Sequence, residues 1–577
     1  MNQNNSRTGV NIQNRSERNR VDRENMIQEC KNTNNSSFLV QGSILAIASI
    51  VSRIIGLLYR SPLTAILGDL GNDYYSTAFE IYSLLLLISS MSLPLAVSKM
   101  VSARVSQGRM GDAYRVFKAA LGFAVCSGLA AGLIVFFFAD YFAAFLKTPF
   151  CVFALRVLAP TLFIVAILGV IRGFFQGLGT MMPSAVSQIV EQIINAIVSV
   201  VAAYYLFRYG AKIGAVLGDT EEYSAAFGAA GGTLGTGAGA LAGLLFVLFV
   251  FTVYKRVLKR KIRRQRGASK ESYGTILHVL IWTVVPVLLS TTLYNLSAIV
   301  DQAIFKNVAN LQGYTAAEIH TFWGVFGGKY RVLVNVPISI ASAVVSASVP
   351  AITASFANKD MVGVQKKTGN AIHYSMVIAF PCAIGLGVLA SPVMQLLFHD
   401  STPLAAHMLQ VGVVSVIFYS LSTLSNGILQ GINRMKVPVI HAAIALALQA
   451  GLLVALMYLA NLNIFAVIWA NTFFALFMCL LNGYGIYRYL GFKQEVKKTF
   501  LIPALCAGIM GVVVYVVYMV LQMLLKINAI STVVAIVAGA GVYFVLMLVL
   551  KGLNEEDLLS FPGGRKLIAL GQKMHLL

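Results

Sequence analysis

Arg53 and Arg60 lie seven residues apart within one apolar segment, and Arg331 occupies the matching part of the second half of the chain. A charge held at the bilayer centre costs roughly 2.5–3.5 kcal/mol on insertion scales, so residues of this kind line polar cavities. At 100° per residue, Arg53 and Arg60 differ by only about 20° in direction and share one helix face. Arginine suits phosphate because its planar fork donates two parallel hydrogen bonds to an oxyanion and keeps its charge at any attainable pH. Three such groups match a diphosphate, and the expected cargo is therefore anionic. Arg331 shares a face with Asn335, and Pro337 just beyond removes a backbone hydrogen bond and is expected to kink that helix. Lys329 diverges from Arg331 by about 200°, so it either snorkels outward or needs a distorted helix to reach the same cavity. Two alternatives stand beside the cavity reading: Arg60 at the outer interface, and Arg53 paired with Glu80 or Glu191.

Acidic candidates are few: Asp73 at the outer start of the second span, Glu80 seven residues deeper on the same face, Glu191 in the fifth span and Asp301 in the seventh. They can balance the arginines or bind a coupling cation, since carboxylate and carbonyl oxygens are the ligands hard ions prefer. For Asp301, solvation at the interface is the simpler expectation. Arg172 reads as a topology anchor, and Arg156 has no assigned role. The histidines form no triad and no metal spacing, and Cys30, Cys126, Cys151, Cys382, Cys479 and Cys506 are scattered without a CxxC pair. Neither catalysis nor a metal site nor a disulfide frame is expected. The glycine-dense stretch 227–243 lacks the Gly-Lys-Ser/Thr ending of a nucleotide loop. Its Gly231, Gly235, Gly239 and Gly243 repeat every four residues, which is a smooth stripe for close helix packing. With no ATPase signature and no cofactor expected, transport must draw on Na+, H+, the membrane potential or a partner.

The elements that position these residues follow from composition: 58% of residues are hydrophobic and 11% charged. This is an all-α polytopic membrane protein with about fourteen transmembrane helices between residues 38 and 552. The net charge of +22 falls mainly in short loops, such as 99–118 and the YKRVLKRKIRRQRGASK run, so positive-inside topology explains it and nucleic-acid binding is not expected. That run can also meet anionic lipid headgroups. Both termini are then cytoplasmic. Residues 1–37, polar and rich in Asn and Arg, are expected to be a disordered cytoplasmic tail. Gln176-Gly177 recurs as Gln430-Gly431 after 254 residues, and Ser92-Leu-Pro94 as Ser348-Val-Pro350 after 256. Two pairs at nearly one offset, six spans apart, imply parallel repeats. The expected organisation is an N-lobe over 38–256, a basic cytoplasmic linker over 257–272, a C-lobe over 273–490, and two extra helices with a cytoplasmic tail over 491–577. A cavity between the lobes permits alternating access.

Four segments carry a family resemblance: SRIIGLLYR, SLPLAVSKMVSARVSQG, ALRVLAPTLFIVAILGVIRGFFQGLGTMMPSAVSQIVEQI and GGKYRVLVNVPISIASAVVSASVPAI. Over roughly 38–555 the chain resembles the MurJ and stage V sporulation protein B group of lipid flippases, within the MATE-like multidrug/oligosaccharidyl-lipid/polysaccharide (MOP) superfamily. The resemblance implies fourteen helices, two lobes, a bacterial cytoplasmic membrane, export of lipid-linked cell-wall precursor (lipid II) from inner to outer leaflet, and cell-wall synthesis proteins as partners. It carries the family's cavity arginines onto Arg53, Arg60 and Arg331, and its acidic residue opening the second helix onto Asp73. A family cation site formed by the seventh, eleventh and twelfth helices implies Asp301, Asn471 and Thr472. Two departures stand out. The arginine spacing in the first helix is looser than in the MurJ branch, and the second helix carries Glu80 in place of an arginine. Another polyprenyl-linked polysaccharide is thus an alternative cargo. A MATE-type drug or cation antiporter is a weaker alternative, because it needs carboxylates at the cavity centre.

Overall fold

The structure is a computed structural model that describes residues 5–264, 271–555, 557, 568 and 572. Every regular element among the described residues is helical. The first half comprises α1 (Asn5–Leu86), α2 (Leu93–Ser106), α3 (Met110–Phe137), α4 (Ala139–Phe145), α5 (Val152–Gly177), α6 (Met182–Leu217) and α7 (Thr220–Arg264). The second comprises α8 (Tyr273–Leu311), α9 (Ala316–Val325), α10 (Arg331–Ala357), α11 (Met361–Val388), α12 (Ala390–Phe398), α13 (Pro403–Gly412), α14 (Val414–Gly431), α15 (Lys436–Ala460) and α16 (Asn463–Leu490). Then follow α17 (Ile502–Leu525) and α18 (Asn528–Val549). Among the described residues eleven stretches are long and apolar enough to cross a membrane, or twelve when the bent pair α13 and α14 counts as one span. The chain is a multi-pass membrane protein.

One of those stretches, Ile47–Ser106, has 60 residues. At 1.5 Å per residue it would be about 90 Å long, far beyond one crossing of a core about 30 Å thick. Gly68 divides it: its φ of 64° and ψ of −175° belong to a region open only to glycine, so the chain turns there without strain. Two boundaries differ from expectation. Helix α1 starts at Asn5, within the segment expected to be a disordered cytoplasmic tail. Helix α7 runs on to Arg264, past the expected lobe boundary at 256, because no glycine or proline follows Gly243 within it. The rest of the basic linker, 265–270, and most of the C-terminal tail lie outside the described residues.

The glycine stripe of α7 works as its spacing suggests. A Cβ at Gly231 would stand 2.5 Å from the Ala202 carbonyl, and one at Gly239 would stand 2.5 Å from the Glu191 carbonyl, so α6 and α7 pack backbone to backbone. The repeated Gln-Gly motif has a common packing reason in both halves. Gly173 and Gly177 of α5 rest on Pro94 and Val101 of α2, while Gly427 and Gly431 of α14 rest on Val345, Val349 and Thr353 of α10. Helices α17 and α18 pack on each other and on α11, where the Tyr543 hydroxyl donates to the Val377 carbonyl at 2.9 Å. Their outer faces expose Val512, Met523, Leu524 and Val537, as a lipid-facing surface requires.

Candidate functional site between the lobes

The connections α2–α3 and α7–α8 mark one end of the bundle, here the basic end. Glu271 accepts from Arg104 and Arg109, and its carbonyl accepts from Arg115, which binds the start of the second half to the first. Gly68 lies at the opposite end, because the helix that follows it runs down towards Arg104.

That opposite end is closed by a buried ionic lattice. Asp73 of α1, with no exposed surface, accepts from Lys306 Nζ of α8 at 2.6 and 2.8 Å, and its other neighbours are His320 Nδ1 of α9 at 2.5 Å and Thr77 at 3.1 Å. Lys306, equally buried, also donates to Thr148 at 2.6 Å. Lys329 donates to Asp69 and Asp400, each at 2.6 Å. Backbones meet directly beneath these pairs. Cβ atoms at Gly327 and Gly328 would stand 2.6 Å from Ser76 Oγ and 2.8 Å from Asn72, and one at Gly324 would overlap the Asp69 carbonyl. The closed form therefore depends on glycine at 324. Gly324→Ala is expected to bias the protein towards a form open at this end by about tenfold, a 1.4 kcal/mol shift. Labelling of Thr77→Cys by a membrane-impermeant thiol reagent measures it, and unchanged labelling contradicts it.

A second layer lies nearer the middle. Arg331 donates to Glu80, tying α10 to α1. Arg53 donates to the Ser339 carbonyl across the lobes. Arg60 lies over the Tyr75 ring at 4.3 Å, and its buried Nη1 has no hydrogen-bond partner among the described residues. Neither Arg53 nor Arg60 has a carboxylate partner among the described residues. Asp301, within electrostatic reach of Arg331 and Glu80, accepts from Gln449 Nε2 at 2.7 and 2.8 Å and from Asn471 Nδ2 at 2.7 Å. Tyr419 donates to the Asn471 carbonyl oxygen at 2.9 Å. The Gln449 Oε1 atom is buried without a hydrogen-bond partner among the described residues.

Several sequence expectations change here. Lys329 neither snorkels nor shares the arginine cavity; the backbone is π-helical over Phe326–Tyr330, which supplies the distortion, but the lysine turns into the closing lattice. Asp73 is likewise held by Lys306 and His320, not by the arginines, because these two and the Thr77 hydroxyl occupy its acceptor positions. Glu191 is set apart from the central groups: Arg172, expected as a topology anchor, reaches it at 2.7 Å across the α5–α6 contact. Arg53 therefore pairs with neither Glu80 nor Glu191. Asp301 is 1% exposed and not interfacial. Thr472 points away from it and donates to the Ile468 carbonyl of its own helix at 2.8 Å. Arg156 forms an exposed pair with Asp140 at 2.8 Å. Sequence reasoning missed Asp69, Lys306, His320, Asp400 and Gln449. A usable signal existed for one pair of positions: Asp73 and Lys329 are separated by the same 256 residues as Ser92 and Ser348, so charges of opposite sign stand at one sequence offset.

An apolar cavity of about 690 Å³ lies against the first helix at Leu57, and neither Arg53 nor Arg60 lines it. Leu57, one turn from each arginine, lines it together with Leu333 and Leu386, and it extends to Val514, Tyr543 and Phe544 of α17 and α18.

Comparison with known proteins agrees with this architecture. The profile of the family described as polysaccharide biosynthesis protein matches residues 39–356, and that of MatE matches 332–457. The lipid II flippase MurJ of Bacillus subtilis (strain 168) is 28% identical over 498 residues, covering 83% of this chain and 88% of the relative. Stage V sporulation protein B of the same organism is 24% identical over 530 residues, covering 91% and 98%. Among solved structures, a lipid II flippase MurJ in an inward closed conformation superposes with a TM-score of 0.61 at 14% identity, covering 88% of this chain and 98% of that one. An inward-facing multidrug resistance MATE family transporter of the MOP superfamily gives 0.52 at 16% identity, covering 79% and 99%. With the profile matched over more than half of its length, and with the helical fold of MOP-superfamily transporters, the chain belongs to the polysaccharide biosynthesis protein family.

Proposed function

We propose that the protein is a flippase that carries lipid II, an undecaprenyl-diphosphate-linked cell-wall precursor, from the inner to the outer leaflet by alternating access. The reading is supported by the likeness to the MurJ and stage V sporulation protein B relatives. The observation that carries it is the pairing of the guanidiniums: Arg331 is paired with Glu80, while Arg53 and Arg60 have no carboxylate partner among the described residues. A diphosphate supplies the missing negative charge and enough acceptor oxygens for bidentate contacts. In this reading the basic end is cytoplasmic. The cargo enters there, its diphosphate takes Arg331 from Glu80, and its polyprenyl chain lies in the apolar cavity that begins at Leu57. Release of Glu80 weakens one interlobe tie, and opening of the far end then requires the Asp73–Lys306 and Lys329 pairs to part.

Binding to the purified protein in nanodiscs tests this reading. Lipid II and undecaprenyl diphosphate are expected to bind at least tenfold more tightly than undecaprenol, which lacks the phosphates. Equal binding of all three would remove the diphosphate role. A second lipid-linked glycan that binds and moves as well as lipid II would shift the cargo to the broader polyprenyl-linked class.

Asp301 with Asn471 and Gln449 is the proposed coupling site, since a cation such as Na+ replaces amide donors around the carboxylate and engages the Gln449 oxygen, which has no partner among the described residues. Asp301→Asn is expected to slow export several-fold and to abolish its response to a Na+ gradient, while lipid binding stays within about twofold. Proteoliposome transport with and without the gradient checks this, and an unchanged gradient response contradicts it.

A further inference from the structure

A second site lies at the basic end, away from the arginines and sharing no lining residue with the apolar cavity at Leu57. The first turns of α11, the 491–499 segment that joins α16 to α17, and Asp557 enclose a polar pocket of about 480 Å³. Lys366, Lys493 and Lys498 line it with Asn370, His373 and Gln494. Lys498 is neutralised by Asp557 at 3.1 Å, and Glu495 offsets one further charge, so three lysines against two carboxylates leave one net positive charge. The Gln494 Nε2 atom is buried with no partner among the described residues, although it lines the pocket. A buried amide donor left in this way lacks an acceptor.

Phe492, Lys493 and Gln494 also border an apolar pocket of about 350 Å³ that runs between α14 and α16 along Leu421, Gly483, Ile486 and Phe500. A Cβ at Gly483 would meet nothing within 4 Å, which leaves room there for hydrocarbon. A polar chamber with one excess positive charge that shares Phe492, Lys493 and Gln494 with a neighbouring apolar slot fits a ligand with a phosphodiester at one end and an alkyl chain at the other. A soluble phosphate compound would leave the slot unfilled.

We propose that this is a binding site for an anionic phospholipid of the adjoining leaflet, with the phosphodiester held by Lys366, Lys493 and the Gln494 amide and one acyl chain in the slot beside Gly483. The occupant bridges α11, α16 and the 491–499 segment. It thereby fixes how α17 and α18, which wall the apolar cavity of the central site, attach to the second lobe. The site does not depend on the identity of the cargo.

The test is lipid retention by the purified full chain, measured by native mass spectrometry after reconstitution with phosphatidylglycerol or phosphatidylcholine. Phosphatidylglycerol is expected to be retained and phosphatidylcholine lost. Lys366→Gln with Lys493→Gln, both at exposed positions, and separately Gly483→Leu, which fills the slot, are each expected to lower retained phosphatidylglycerol by roughly tenfold. Arg53→Ala is expected to retain it fully, which separates this site from the cargo cavity. Unfolding temperature in detergent, expected to match wild type, shows that the variants are folded; should the lysine pair fail that control, Lys493→Gln alone replaces it. Equal retention of the two lipids, or a folded Gly483→Leu that retains phosphatidylglycerol as wild type does, overturns the proposal. Displacement of the lipid by millimolar inorganic phosphate alone also overturns it, in favour of a soluble anion.

Discussion

Arg53→Ala combined with Arg60→Ala is expected to leave the protein folded and abundant but to weaken its hold on a polyprenyl diphosphate by roughly 10²–10⁴-fold. Charge-assisted hydrogen bonds contribute about 1.5–3 kcal/mol each, and one such contact is lost at each guanidinium, which converts to that range at 1.4 kcal/mol per decade. The fold should barely register the change. Among the described residues, the exposed Arg53 holds the Ser339 carbonyl, and Arg60 rests on Tyr75 with one buried nitrogen that has no hydrogen-bond partner. A cation–π contact of that kind contributes about 0.5–2 kcal/mol, part of which is offset by removing the unpaired nitrogen. Arg53→Lys keeps the charge without the fork and should fall between. Titration of undecaprenyl diphosphate against the purified variants, with thermal unfolding alongside, separates binding from stability. A variant that loses stability but not affinity would make the arginines structural.

Asp73→Ala should do the reverse and damage the fold. It leaves the Lys306 ammonium fully buried with Thr148 as its remaining hydrogen-bond acceptor among the described residues, and breaking a buried pair from one side costs about 3–5 kcal/mol. Removing both partners avoids the uncompensated charge, so Asp73→Leu with Lys306→Met is expected to recover most of the loss. The recovery is a coupling energy, read from unfolding temperatures of Asp73→Leu, Lys306→Met and the double. Additive losses would mean that the two residues act independently. The double variant also lacks a tie between the lobes at the closed end, so its stability and its transport should part company: it should be folded, yet populate the form open at that end more than wild type does.

What the sequence made legible was whatever depends on local pattern. Apolar runs, the stripe Gly231 to Gly243 and the repeated Gln-Gly motif follow from helix period or from fixed offsets, and each has a direct counterpart in the packing. What stayed hidden depends on which helices meet. Lys306 and Asp73 are 233 residues apart, and Lys329 and Asp400 are 71 apart, so no local pattern pairs them. Thr472 and Asn471 are adjacent in sequence, but about 100° of helix rotation turns one to Asp301 and the other back to its own backbone. The π-helical Phe326–Tyr330 turn shifted Lys329 in the same way, since helix-wheel reasoning assumes an unbroken α-helix.

The most direct test of the account is leaflet accessibility of lipid II in cells whose own flippase can be depleted, comparing the wild-type chain with Arg53→Ala and Arg331→Ala at matched membrane levels. Wild type is expected to restore outer-leaflet lipid II, and both variants are expected to leave it inside. Wild type that is folded and abundant yet leaves lipid II in the inner leaflet, or arginine variants that export it normally, would contradict the account.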